Sequence, residues 1–183
     1  MFDASTTYVS LEQDTSLGMI TLRADLASDK LKKAINEIGL GDLPAQRQIV
    51  SSSELSLGWM SPDELMLFCA PQNVADIVQT IADHLAGEHS LVVDVSDARA
   101  HFVLKGAHIR EVIAKLAPVD LDPTQFDVGE LRRTRFGQIA AAFWFSDQTT
   151  AHIICFRSVA AYMHEQLIRA AASGSEMGIW SEA

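Results

Sequence analysis

Apolar positions along this chain switch repeatedly between the alternation of a strand and the three-to-four spacing of a helix. Met19-Ile20-Thr21-Leu22-Arg23-Ala24 predicts a strand. Asp29 then precedes Leu31, Ala34, Ile35 and Ile38, the spacing of a helix with one apolar face, and Gly39 ends it. After a polar loop through Gly41-Asp42-Leu43-Pro44, residues 55–59 and 64–69 predict a hairpin turning at Met60-Ser61-Pro62-Asp63. Asn73 opens a second helix whose inward face is Val74, Ile77, Val78, Ile81 and Leu85. Gly87 stops that helix before a strand over 91–95.

The same order of elements recurs from Ala100. Phe102-Val103-Leu104 predicts a strand, Ile109, Val112, Ile113 and Leu116 a helix face, and Pro118 closes that helix. Strands over 131–135, 139–145 and 151–155 follow. A helix capped by Ser158 turns Val159, Tyr162, Met163, Leu167 and Ala170 inward, and Met177-Gly178-Ile179-Trp180 is expected to supply the last strand. The pattern predicts an α+β fold of two ferredoxin-like βαββαβ units packed as one domain, 15–97 and 98–181, with residues 1–14 flexible. The polar turn at 96–99 is then the seam between the halves.

Composition narrows the classes of function. At 183 residues and 48% hydrophobic, the chain buries a core without disulfides or metal. A formal net charge of −10 argues against nucleic acid and against an anionic membrane surface as partners. No charged-then-apolar leader opens the chain and no apolar run approaches a membrane span, so a cytoplasmic location is expected. The two cysteines, Cys69 and Cys155, lie in apolar strand-like runs and are expected to be buried reduced thiols.

Chemistry-bearing motifs are few. Gly39-Leu40-Gly41-Asp42-Leu43-Pro44 lacks a third glycine and follows a helix, so it fails as a dinucleotide fingerprint. Of the six histidines, His84, His89, His101, His108, His152 and His164, none has another at i, i+4, and Ile168 stands where a His164-Glu165 metalloprotease motif needs its second ligand. Asp94 and Asp97, after an apolar strand and beside Ser96 and Arg99, are the best acid–base candidates. Asx and Ser/Thr turns that also hold Arg99 explain the same residues without catalysis. Trp59, Trp144 and Trp180 read as core residues, one of them a potential interface anchor, and Arg132, opposite Arg133 and Arg135 on one strand, as a solvated edge or a rim of ion pairs to a partner.

Several of these pieces together resemble one family. Leu22-Arg23, Gly39, Leu43-Pro44, Trp59-Met60-Ser61-Pro62-Asp63-Glu64, Val93-Asp94-Val95-Ser96-Asp97-Ala98-Arg99, Asp120-Leu121-Asp122-Pro123, Gly129, Thr134-Arg135 and Arg157-Ser158 through Tyr162 resemble the gamma subunit of heterotetrameric sarcosine oxidase. The resemblance implies a non-catalytic structural subunit partnered by alpha, beta and delta chains. It also implies a fold similar to the folate-binding domain of aminomethyltransferases such as the glycine cleavage T-protein. The resemblance implies a parent enzyme that oxidises sarcosine to glycine, producing hydrogen peroxide and passing the methyl carbon to tetrahydrofolate, with FAD, FMN, NAD and tetrahydrofolate expected on the other subunits. In aminomethyltransferases an Asn-Ala pair and a catalytic aspartate follow the strand that matches 151–155. Here the segment reads Phe156-Arg157-Ser158-Val159-Ala160-Ala161-Tyr162-Met163, with no carboxylate before Glu165. No residue of this chain is therefore assigned to catalysis, cofactor or metal binding. The alternatives are a stand-alone folate-binding protein using Asp94, Asp97 or Glu165 with Arg157, and a homo-oligomeric packing protein.

Overall fold

A computed structural model describes residues 7–180. Its contacts separate two units, one formed by Ser16–Arg99 and the other joining the stretch through Thr15 to the chain from Ala100 onward. Each unit is built on a five-stranded antiparallel sheet.

In the 16–99 unit the chain runs β2 (Gly18–Arg23), α1 (Asp29–Glu37), β3 (Ile49–Ser51), β4 (Ser56–Ser61), β5 (Glu64–Cys69), α2 (Val74–His84) and β6 (Leu91–Asp94). The sheet order β3-β4-β5-β2-β6 is the ferredoxin-like arrangement with β3 added at one edge. Ile20 and Leu22 of β2, Leu57 of β4, and Leu65 and Leu67 of β5 meet Leu31, Ala34 and Ile35 of α1 and Ile77 and Ile81 of α2. β5 is buried at every position, on both faces, which is why its apolar run is continuous instead of alternating. The helices follow the predicted faces, with two differences at their starts. Asn73, expected to cap α2, makes no side-chain capping bond and ends a short helical turn over Pro71–Asn73. The cap of α1 is Ser28, whose Oγ accepts from the backbone N–H of Lys30 and Leu31, and Asp29 sits one position inside, in the first turn. Ser28→Ala is expected to lower stability by about 1 kcal/mol in chemical denaturation.

The other unit comprises β1 (Ser10–Asp14), β7 (Arg99–Lys105), α3 (Ile109–Ala114), β8 (Leu131–Phe136), β9 (Ile139–Asp147), β10 (Thr150–Phe156) and α4 (Ala160–Ala170), in the order β1-β7-β10-β9-β8. Two expectations are corrected here. Residues 177–180 form no strand, and residues 10–14, expected to be flexible, are β1, in register with β7 from Ser10↔Lys105 to Asp14↔His101. The N-terminal segment thus takes the edge position beside the unit's first strand that β6 holds in the 16–99 unit. Residues 1–6 of the stretch expected to be flexible lie outside the described residues. α4 begins at Ala160 after a short helical turn over Arg157–Val159, and Tyr162, expected inward, is 57% exposed. Its core is aromatic: Phe126 stacks on Phe143 at 5.1 Å, and Phe145 and Phe136 meet Phe143 edge-on.

Candidate functional site

The densest polar chemistry lies on the sheet face of the β1–β7–β10–β9 ribbon that points away from the helices. Strand alternation puts Asp14, His101, His152 and Trp144 on that face, and pairing aligns Asp14 with His101 and His152 with Trp144. Asp14 Oδ2 stands 3.2 Å from His101 Nδ1, His101 Nε2 stands 3.0 Å from His152 Nδ1, and His152 Nε2 stands 3.1 Å from Ser146 Oγ. The two imidazole planes are parallel within 4°, and the Trp144 ring lies parallel to His152 within 9° at a centroid distance of 5.0 Å. His101 is buried, whereas Ser146 is exposed. Burial pushes the His152 pKa down to about 4, with the neighbouring His101 adding to the effect and Asp147 and Asp14 opposing it. Burial also lowers the His101 pKa, against the pull of Asp14.

Nothing in the one-dimensional pattern singled out this chain of groups. His101 and His152 are 51 residues apart and Asp14 is 87 from His101. The usable signal was a histidine at an alternating position in each of two strands, which by itself is the ordinary signature of a packed side chain.

The seam turn is tied to itself. Asp94 Oδ1 accepts from the backbone N–H of Ser96 at 2.9 Å and from its hydroxyl, 2.6 Å away, and Ser96 Oγ also accepts from the N–H of Met19. These bonds turn the chain out of β6 and fasten it back to β2. Asp97 is exposed and Arg99 half-buried. Glu165 and Arg157 are exposed on α4 and the turn before it. Arg132 pairs with Glu130 at 3.1 Å and lies over the Phe126 ring, on the sheet face opposite exposed Arg133 and Arg135. Trp59 packs against the core of the 16–99 unit, Trp144 is 6% exposed, and Trp180 is 38% exposed with a side-chain hydrogen bond to Asp122. Cys69 and Cys155 are buried free thiols, and burial pushes the Cys69 pKa up to about 11, which keeps it protonated and unreactive.

A second polar cluster fastens the ends of the described chain. Buried Glu111 accepts from the backbone N–H of Met177 and Gly178 and lies 3.4 Å from the Tyr8 hydroxyl, while Lys115 Nζ donates to Tyr8, Ala170 O and Ser175 O. Burial and then the Glu111 charge push the Tyr8 pKa up to about 12. The chain has two tyrosines, so an ultraviolet titration resolves this late step. Glu111→Gln is expected to move it toward the ordinary tyrosine value, and an unmoved titration would remove Glu111 as a cause.

Among the described residues no cluster of three or more His, Cys, Asp or Glu could hold a metal, and no helix is long and apolar enough to cross a membrane. An open cleft of about 390 Å³ in the 16–99 unit is lined by Ser52, Ser53, Glu54, Asn73 and Asp76 among others, with no Lys, Arg or His. That lining does not suit the anionic tail of a folate.

The fold therefore defines the class: a duplicated ferredoxin-like α+β chain of the kind found in aminomethyltransferases. The structure of aminomethyltransferase T of the glycine cleavage system from Bartonella henselae superposes with a TM-score of 0.63 at 13% identity, over 90% of this chain and 46% of that one. A chain of the heterotetrameric sarcosine oxidase from Corynebacterium sp. U-96, solved with pyrrole 2-carboxylate, superposes with a TM-score of 0.86 at 22% identity, over 98% of this chain and 92% of that one. The sarcosine oxidase subunit gamma of Corynebacterium sp. (strain U-96) is 30% identical over 96 residues, which is 52% of this chain and 46% of that protein. The matched stretch thus spans less than half of that relative's length. The model of the sarcosine oxidase, gamma subunit family matches residues 23–173, and the chain belongs to that family.

Proposed function

We propose that this chain is a structural subunit of a heterotetrameric sarcosine oxidase and contributes no residue to the oxidation itself. The observation that carries this reading is the family match over residues 23–173. The fold likeness to a chain of the solved heterotetramer supports it. In this reading alpha, beta and delta chains are its partners, and they carry FAD, FMN, NAD and the tetrahydrofolate that receives the methyl carbon when sarcosine is oxidised to glycine and dioxygen is reduced to hydrogen peroxide. The candidates for independent chemistry support it too: Asp94 is engaged in its own turn, and Glu165 and Arg157 lie exposed on the surface.

Co-expression of this chain, tagged, with alpha, beta and delta chains of a heterotetrameric sarcosine oxidase from the same genome is expected to give one complex of four chains with bound flavin and sarcosine oxidase activity. Recovery of the tagged chain alone, with the other three assembling without it, would overturn the reading. The stand-alone folate alternative has only the aminomethyltransferase-like fold in its favour. It requires the isolated chain to bind tetrahydrofolate in calorimetry and to lose that binding on Arg157→Ala, and a flat titration is the expected result.

A further inference from the structure

The Asp14, His101, His152 and Ser146 chain has a direction. A carboxylate only accepts, so His101 Nδ1 carries the proton facing Asp14 Oδ2. His101 Nε2 is then a lone pair, and His152 Nδ1 donates to it. That leaves His152 Nε2 as the acceptor facing Ser146 Oγ, so the serine hydroxyl donates into the chain. The rings are held in this alignment by their burial and by Trp144, which lies parallel to His101 within 5° and to His152 within 9°. Ser146, near the end of β9, is exposed. A hydroxyl on an oriented imidazole, itself oriented through a second imidazole by a carboxylate, has the geometry of an activated nucleophile.

We propose that Ser146 is an acyl-accepting nucleophile for small activated esters, with His152 as its base and with His101 and Asp14 as positioning residues. In the transfer, Ser146 Oγ forms a bond to the ester carbonyl carbon while its proton passes to His152 Nε2. The carbon–oxygen bond to the leaving group breaks, and the departing alkoxide takes that proton back from His152, leaving an acyl-serine and a free alcohol. The geometry carries this assignment: Ser146 Oγ lies 3.1 Å from His152 Nε2, within reach for direct proton transfer. The inference rests on this chain alone and is independent of whether it assembles with other subunits.

The test is incubation of the full chain with p-nitrophenyl acetate near neutral pH, following p-nitrophenol release and locating the acetyl group by peptide mass spectrometry. Ser146 is expected to be acetylated at least tenfold faster than exposed Ser53, with the fast p-nitrophenol release lost in Ser146→Ala. Asp14→Asn removes the charge that orients the chain and lets the proton order reverse, and it is expected to slow labelling of Ser146 by about 100-fold while circular dichroism stays native. Acetylation of Ser146 at the rate of Ser53 in the unsubstituted protein would overturn the proposal whatever the folding of the variants. An unchanged rate in a folded Asp14→Asn protein would remove the positioning role of Asp14 and His101.

Discussion

Phe126→Ala is expected to cost about 3–5 kcal/mol of folding stability, a large share of the roughly 5–15 kcal/mol that holds an ordinary domain together. Phe126 lies in the irregular connection between α3 and β8, yet it is fully buried. Its ring stacks on Phe143, meets Phe145 edge-on at 5.3 Å and carries the Arg132 guanidinium at 4.9 Å from its centroid. The backbone is held as firmly. Buried Arg110, lying over the Phe145 ring, donates to Phe126 O at 2.8 Å and to Leu121 O at 3.1 Å. Because both backbone and neighbours are fixed, the site cannot collapse around the missing ring, and the cavity term adds to the lost transfer energy. Urea denaturation with an unchanged slope and a much lower midpoint is the expected readout. A loss below about 1 kcal/mol would show that the connection is not part of the cooperative core.

The second large effect is an acid-side loss of stability centred on His152. Its native pKa of about 4 lies below the ordinary value of 6.5 because burial and His101 disfavour the imidazolium. In the unfolded chain His152 takes up a proton below about 6.5, whereas in the native state it stays neutral until about 4. The stability it contributes is therefore complete above pH 6.5 and is lost as pH falls toward 4, by up to about 3 kcal/mol. His101, also lowered by burial, adds in the same direction. Denaturation curves across that window are expected to show a steep decline that His152→Phe flattens, since phenylalanine keeps the stack on Trp144 without titrating. Equal slopes in the two proteins would place the acid sensitivity elsewhere.

Much of the fold was legible in the amino-acid order. Leu31, Ala34 and Ile35, and Val74, Ile77 and Ile81, face inward as their spacing predicts, because an amphipathic helix has one stable way to bury its stripe. The hairpin of β4 and β5 also stands where Pro62 and Asp63 predicted it. The misplaced pieces are those whose position depends on distant chain. Residues 10–14 carry no strong strand pattern of their own (Ser10-Leu11-Glu12-Gln13-Asp14) and are exposed or half-buried. They become a strand because β7 presents an unpaired edge. With that edge occupied, residues 177–180 have no ladder to join. Their backbone N–H groups at 177 and 178 go to Glu111 instead. Tyr162 fits the helical face by spacing but points outward, because α4 starts two residues after Ser158 and its buried stripe runs through Met163 and Leu167.

The same division holds for the candidate chemistry. Asp94 and Ser96 were readable as a turn because the bonds that define it span two residues. The relay from Ser146 to Asp14 was not, since its four members come from β1, β7, β9 and β10 and meet only when those strands pair in register. Local order thus determined the two helix-bearing repeats, the α+β class and the family resemblance, because hydrophobic period and turn chemistry act over a few residues. The tertiary structure alone decided which segment closes the second sheet and which polar groups share a face, because strand partners and their register are chosen by long-range burial and pairing.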